Sequence, residues 1–335
     1  MIAPLALSMG EPAGIGPDLI LAAWSLKGAV DVPPFVAIAD PEVLTQRARK
    51  LGVAVPLAIV DRAAFADADF GHALPVLPIK AADPAVCGTP APLNANAVTR
   101  AIALGVELCR SGEAAAIVTA PIHKAALAAG GFRHPGHTEY LGELAGPGHT
   151  PIMMLAGTGL RVVPLTVHCA LKDVPERLKT APLAETARAI LRALARDFGI
   201  AKPRLAVSGL NPHAGEDGLM GTEEETLIAP AIAELRAEGF DVVGPLPADT
   251  MFHAEARETY DAALCMYHDQ ALIPLKTLDF HGGVNITLNL PFVRTSPDHG
   301  TALALAGTGK ARPDSLIAAL RAAQTMAQLR AKATP

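Results

Sequence analysis

Short apolar runs, each closed by glycine, proline or a polar cluster, alternate along the chain with longer stretches whose apolar positions recur every three or four residues. The short runs predict strands at Leu5–Met9, Phe35–Ala39, Leu57–Val60, Leu74–Leu77, Ala114–Thr119, Val162–Val167, Leu205–Leu210 and Ala262–Tyr267. The periodic stretches predict helices over Asp18–Ser25, Asn94–Arg110, Pro182–Phe198, Glu223–Glu238 and Pro313–Lys332. Strand and helix in alternation predict an α/β fold, a mostly parallel sheet covered by helices. No internal repeat, low-complexity tract or long linker interrupts the pattern. With 335 residues the chain forms either one large unit or two lobes.

Composition narrows the class. Half the residues are hydrophobic (50%) but only 4% are aromatic, so the core is built of Ala, Leu, Val and Ile. A net charge of −5 argues against a general nucleic-acid or membrane-surface binder, so basic residues converging on one spot carry local meaning. Cys87, Cys109, Cys169 and Cys265 form no C-x-x-C pair, as expected of reduced thiols in the cytoplasm. No signal-type segment or run of spanning length is present, which also points to a soluble cytoplasmic protein.

Chemistry is densest between Ala262 and Ala302. The strand Ala262–Tyr267 stops at His268-Asp269-Gln270, and Lys276, Asn285, Arg294 and Asp298-His299-Gly300-Thr301-Ala302 follow. Ionic groups at this density are poor core material, and loops at the carboxyl ends of strands are where α/β proteins hold ligands. The stretch therefore reads as a site for a small anion. Arg294 offers a fork and Lys276 a point charge, with ordinary surface ion pairing as the competing reading.

Two further strands end the same way, in His168 and in Asn211-Pro212-His213. Three strand-end histidines, His168, His213 and His268, make a plausible metal set, since neutral imidazoles bind divalent ions. The glycines of Gly10-Glu11-Pro12-Ala13-Gly14-Ile15-Gly16-Pro17 are neither a dinucleotide fingerprint nor a P-loop, so this segment reads as a tight strand-to-helix connection. At Gly136-His137-Thr138-Glu139, Thr138 suits a helix cap, and His137 reads equally as a ligand contact or a loop histidine. His123 and Lys124 stand at another helix start, open to a ligand or to solvent.

Taken in order, these blocks resemble the 4-hydroxythreonine-4-phosphate dehydrogenase family of the pyridoxal phosphate pathway (PdxA). The resemblance is carried end to end by the segments 10–17, 136–139, 210–216, 244–250, 266–270, 283–288 and 294–302. It implies an isocitrate/isopropylmalate-dehydrogenase-like fold: a single catalytic unit over 1–335, two α/β/α lobes discontinuous in sequence, an active-site cleft between them, and a homodimer with the site at the subunit interface. It makes His168, His213 and His268 the ligands of one divalent metal, drawn from both subunits. Three imidazoles suit zinc, with magnesium, manganese or cobalt also open.

His137, Thr138, Lys276, Asn285 and Arg294 become substrate contacts, and His137 and Asp249 candidates for proton transfer. The loop with His299, Gly300, Thr301, Gly307 and Gly309 is similar to the adenosine-side loop of isopropylmalate dehydrogenases and takes NAD or NADP. The implied reaction oxidises 4-phosphooxy-L-threonine to 2-amino-3-oxo-4-phosphooxybutanoate, which decarboxylates to 3-amino-2-oxopropyl phosphate in vitamin B6 biosynthesis. The alternative is a related dehydrogenase acting on a phosphorylated threonate or erythronate, or on an aromatic cis-dihydrodiol. One departure is Cys169-Ala170, where the family pattern has Leu or Val followed by Pro.

Overall fold

The computed structural model describes residues 3–333. Its strands, in chain order, are β1 (Leu5–Ser8), β2 (Phe35–Ala39), β3 (Leu57–Ile59), β4 (Leu74–Pro78), β5 (Ile117–Thr119), β6 (Ile152–Gly157), β7 (Leu160–Thr166), β8 (Arg204–Ser208), β9 (Asp241–Leu246), β10 (Ala262–Tyr267), β11 (Val284–Leu288) and β12 (Arg294–Pro297). The described residues divide into two compact units, each discontinuous: residues 3–151 with 290–328, and residues 152–289 with 329–333.

In the first unit the strand order is β3-β4-β2-β1-β5-β12 and every pairing is parallel. Parallel strands covered on both faces need near-continuous apolar sequence, and β1 and β2 are buried at every position. The helix Ala95–Ser111 lays alternate faces on two apolar clusters, one with Val36, Ile38 and Phe65, the other with Ile117, Leu141 and Phe292. The helix Pro41–Leu51 is delimited by its own sequence. The Asp40 side chain accepts from Glu42 N, Pro41 opens the first turn, and Gly52 closes it at φ 68°.

In the second unit the order is β11-β6-β7-β10-β8-β9. β7, β10, β8 and β9 are parallel, whereas β6 runs antiparallel to both β7 and β11. The β6–β7 turn passes through Gly159 at φ 70°. Leu155, Val162, Ala206, Ala263, Cys265 and Leu275 form the core. Because β10 lies between β7 and β8 with all three parallel, their carboxyl ends share one edge.

Several expectations need correction. The stretch Ala262–Ala302 carries regular structure beyond the one strand expected in it. It contains the helix His268–Leu278, which tolerates Pro274, and the strands β11 and β12. Residues Arg294 to Pro297 are all buried, so Arg294 belongs to a core strand and not to a surface loop. Gly244, Pro245 and Leu246, in a segment where no strand was expected, end β9. Within Glu223–Glu238 the first turn is a π segment, Glu224–Ile228, before the α-helix Ala229–Ala237. Thr138 caps nothing: the helix His137–Ala145 has Gly136 at its N-cap, with no side-chain cap bond.

Candidate functional site

In the second unit, the edge where β7, β8 and β10 end carries all three candidate histidines. His168 lies two residues past β7, His213 five past β8, and His268 opens the helix that follows β10. The ring centroids of His168 and His268 are 5.9 Å apart. With metal–nitrogen bonds of about 2.1 Å, two imidazoles on one tetrahedral ion place their centroids about 5.3 Å apart, so the rings here stand slightly wider than that geometry. His268 Nδ1 is 2.7 Å from Asp269 Oδ1, the carboxylate partner that fixes a ligating ring and leaves Nε2 for the ion. These two rings therefore fit a divalent metal.

His213 does not join them within one chain: among the described residues no group of three or more His, Cys, Asp or Glu side chains is placed to hold a metal ion. His168 and His268 line a cavity of about 240 Å³ with Thr166, Cys169, Tyr267 and Asp269. The variant residue Cys169 thus faces the same space without displacing His168.

The backbone around the histidines is strained and held. His168 sits at φ 50°, and His213, Ala214, Glu216 and Asp217 all lie between φ 45° and 53°. Left-handed conformations cost non-glycine residues about 1 kcal/mol or more each, so the surroundings must impose them. Buried Glu224 does so for the His213 loop. Its Oε1 accepts from Leu210 N and Asn211 N at 2.7 Å each, and its Oε2 from Asn211 Nδ2 at 2.9 Å. These bonds overcome the cost of burial and hold the Glu224 carboxyl below its ordinary pKa.

Buried Gln270 ties β8 to β10: it accepts from Ser208 Oγ (2.8 Å) and Met266 N (2.7 Å) and donates to Gly209 O (2.8 Å). Thr166 Oγ donates to Met266 O at 2.8 Å, joining β7 to the same point. Sequence reasoning gave neither Glu224 nor Gln270 a role. The signal for Glu224 was its place in a Gly-x-Glu-Glu run just after the histidine loop.

Lys276 and Asn285 also belong to this unit. Lys276 is half-buried on the helix His268–Leu278, with its Nζ 5.5 Å from the Phe280 ring centroid. Asn285 is half-buried on β11, opposite Leu155 of β6. Asp249 is exposed in the turn after β9.

The first unit brings together His137, Arg294, Thr119 and Lys124. Arg294 is 2% exposed and donates from Nη2 to Thr119 Oγ at 2.7 Å. Burial pushes its guanidinium down to about 9, still protonated at neutral pH. His137 is half-buried as a residue, yet its Nε2 is fully enclosed with no hydrogen-bond partner. Burial, then the charges of Arg294 and Lys124, hold its pKa well below the usual 6.5. A neutral imidazole with an enclosed free nitrogen beside a buried cation suits an anionic ligand that must also exchange a proton. Thr138, on the next residue, is half-buried.

The loop after β12 also lies in this unit. His299 is exposed, with Nδ1 3.0 Å from Gly300 O. Ala302, Gly307 and Gly309 all have positive φ, and a Cβ on Gly300 or Gly309 would meet no atom within 4 Å. The loop is open and backbone-rich, with an exposed imidazole.

The chain matches the family model described as pyridoxal phosphate biosynthetic protein PdxA over residues 31–323. It is 55% identical over 331 residues to a 4-hydroxythreonine-4-phosphate dehydrogenase of Methylorubrum populi, a match covering 97% of this chain and 95% of the relative. The crystal structure of 4-hydroxythreonine-4-phosphate dehydrogenase from Klebsiella pneumoniae superposes with a TM-score of 0.89 at 38% identity, covering 98% of this chain and 99% of the other. A terephthalate 1,2-cis-dihydrodiol dehydrogenase from Burkholderia xenovorans matches with a TM-score of 0.65 at 28% identity, covering 97% and 98%.

Proposed function

The chain belongs to the pyridoxal phosphate biosynthetic protein PdxA family, and on that premise we propose that it oxidises 4-phosphooxy-L-threonine with NAD or NADP. The product, 2-amino-3-oxo-4-phosphooxybutanoate, is a β-keto acid and loses carbon dioxide to give 3-amino-2-oxopropyl phosphate. The observation that carries this reading is the buried Arg294 beside neutral His137 and Lys124. A buried cation matches a phosphorylated amino acid and is a poor match for the hydrocarbon ring of a dihydrodiol.

His168 and His268 of one protomer with His213 of another would hold a divalent cation, which would polarise the substrate hydroxyl, and a bound nicotinamide would supply the hydride acceptor. Arg294 and Lys276 hold the anionic groups, while Thr138 and Asn285 supply neutral hydrogen bonds that fix the substrate's orientation. His137, neutral at pH 7, is the acceptor for the hydroxyl proton, and Asp249, exposed, exchanges protons with water. His299, Gly300, Thr301, Gly307 and Gly309 receive the adenosine side of the nucleotide.

A homodimer accounts for the histidine that one chain does not bring to the other two. Leu171, Leu219, Met220, Ile273 and Phe280 are large apolar side chains exposed on the histidine-bearing unit, with Leu219 at 83%, which suits burial against a second copy. Among the described residues no helix is long and apolar enough to cross a membrane, in keeping with a cytoplasmic enzyme.

The test is appearance of reduced nicotinamide when metal-loaded protein meets 4-phosphooxy-L-threonine, 4-phospho-erythronate or a terephthalate cis-dihydrodiol. Turnover of the first in preference to the other two is expected. Preference for either of the others would overturn the substrate assignment while leaving the family membership intact.

A further inference from the structure

The segment Gly10–Pro17 has no part in the chemistry above, and its backbone shows why. Four of its amides are already engaged inside the protein. Glu11 N donates to Pro121 O (2.9 Å), Ala13 N to Glu11 Oε1 (3.0 Å), Gly14 N to Glu11 O (3.0 Å) and Ile15 N to Thr301 O (3.0 Å). This loop is not an anion cradle. The last of those bonds reaches the proposed cofactor loop, and Gly14 packs so closely there that a Cβ would come 3.0 Å from Thr301 O.

Behind both loops lies a buried ion pair. Arg47, 2% exposed on the helix Pro41–Leu51, pairs with Asp18, 4% exposed on the helix Gly16–Ser25. Arg47 also donates to Gly14 O (2.8 Å, Nη1) and Pro12 O (3.0 Å, Nη2). The second carboxylate oxygen of Asp18 accepts from Gly307 N at 2.8 Å. One guanidinium therefore fixes the Gly10–Pro17 segment from one side, and its carboxylate partner fixes the far end of the cofactor loop. The near end is held by Ile15 N on Thr301 O. Among the bonds named here, the loop between 301 and 307 meets the helix layer at these two points.

We propose that Asp18 and Arg47 are positioning residues that hold the 299–309 loop in the conformation that receives the nicotinamide cofactor. The proposal rests on the reading of that loop as the cofactor loop. A fork with two carbonyl acceptors and a carboxylate cannot be reproduced by an ammonium, so Arg47→Lys keeps the charge and loses the geometry. Asp18→Asn keeps an acceptor for Gly307 N and loses the ion pair, giving a second variant. Gln46→Ala, at an exposed position on the Arg47 helix, is the control.

Two readouts are taken together: steady-state kinetics, and amide hydrogen exchange of residues 299–309 with and without NAD and NADP. Both variants are expected to raise KM for the cofactor about tenfold while kcat and KM for the phosphorylated substrate stay within about twofold. Exchange in 299–309 should quicken in both, and the control should match wild type. Unchanged cofactor KM and unchanged exchange in either folded variant would overturn the proposal. If instead the loop loosens in the variants but neither nucleotide protects it in wild type, the cofactor reading has failed and the pair is only a structural strut.

Discussion

His137 gives the account a quantitative test. In the folded chain its imidazole is held neutral by burial and by the neighbouring charges of Arg294 and Lys124. In the unfolded chain it titrates with the ordinary value near 6.5. The folded pKa is lowered, so below pH 6.5 the unfolded state binds more protons, and stability falls as the pH drops. The penalty for keeping His137 neutral has RT ln(1 + 10^(6.5 − pH)) as its ceiling, negligible at pH 7.5 and on the order of 1 kcal/mol at pH 5.5. Because the residue is only half-buried, about 1 kcal/mol is the working expectation.

His137→Gln removes the titrating group and retains a polar side chain of similar size. Urea unfolding followed by hydrogen exchange within residues 95–145, which isolates the first unit, should show the variant losing about 1 kcal/mol less than wild type between pH 7.5 and 5.5. The imidazole proton resonances of His137 should show no titration near 6.5. Equal pH dependence in wild type and variant, or an ordinary titration, would refute the claim that this histidine is a neutral base waiting for a proton.

Arg294→Lys should fold and raise KM for the phosphorylated substrate by about 10- to 100-fold, since a bidentate anion contact is worth about 1–3 kcal/mol; an unchanged KM in steady-state assays would remove Arg294 from the binding site. Glu224→Ala leaves the amides of Leu210 and Asn211 and the Asn211 side chain without their acceptor. It should weaken metal retention in a competitive chelator titration by about 10- to 100-fold, and equal retention would contradict a role in placing His213. Phe280→Asp, at an exposed apolar position on the histidine-bearing unit, should shift a dimer toward monomer in light scattering and lower turnover with it; an unaltered mass would place the interface elsewhere.

Much of the sheet was legible because buried parallel strands must be apolar throughout. The run Ala262–Tyr267 coincides with β10 residue for residue, and Phe35–Ala39 with β2. Among the strands that escaped notice, β12 mixes chemistry with packing and β6 is apolar but runs against the expected direction. β12 reads Arg-Thr-Ser-Pro, which no hydrophobic pattern selects, yet all four residues are buried because Arg294 and Thr295 bond inward to Thr119 Oγ and Ala319 O. β6 is antiparallel among parallel neighbours, an arrangement that alternation of strand and helix does not predict.

Histidines at strand ends stood out by position. The groups that shape their loops did not, because Glu224 and Gln270 act through partners distant in sequence, the amides of Leu210 and Asn211 for the first and Ser208 Oγ and Gly209 O for the second. Arg47 and Asp18 were equally silent. A buried arginine on a helix and an aspartate in the first turn of another look like ordinary surface charges until the fold brings them together.

The central claim is that the three histidines hold one metal across two protomers and that this metal supports oxidation. Subunit complementation tests it most directly. His213→Ala and His268→Ala proteins, each expected to be inactive alone, are unfolded together, refolded with metal, and assayed for reduction of NAD and NADP by 4-phosphooxy-L-threonine. If His213 acts with the His168 and His268 of the opposite protomer, each mixed dimer regains one intact site, and the random mixture recovers about a quarter of wild-type turnover. Activity that stays at the level of the separate variants, in a mixture shown to contain mixed dimers, would contradict a site built from both protomers.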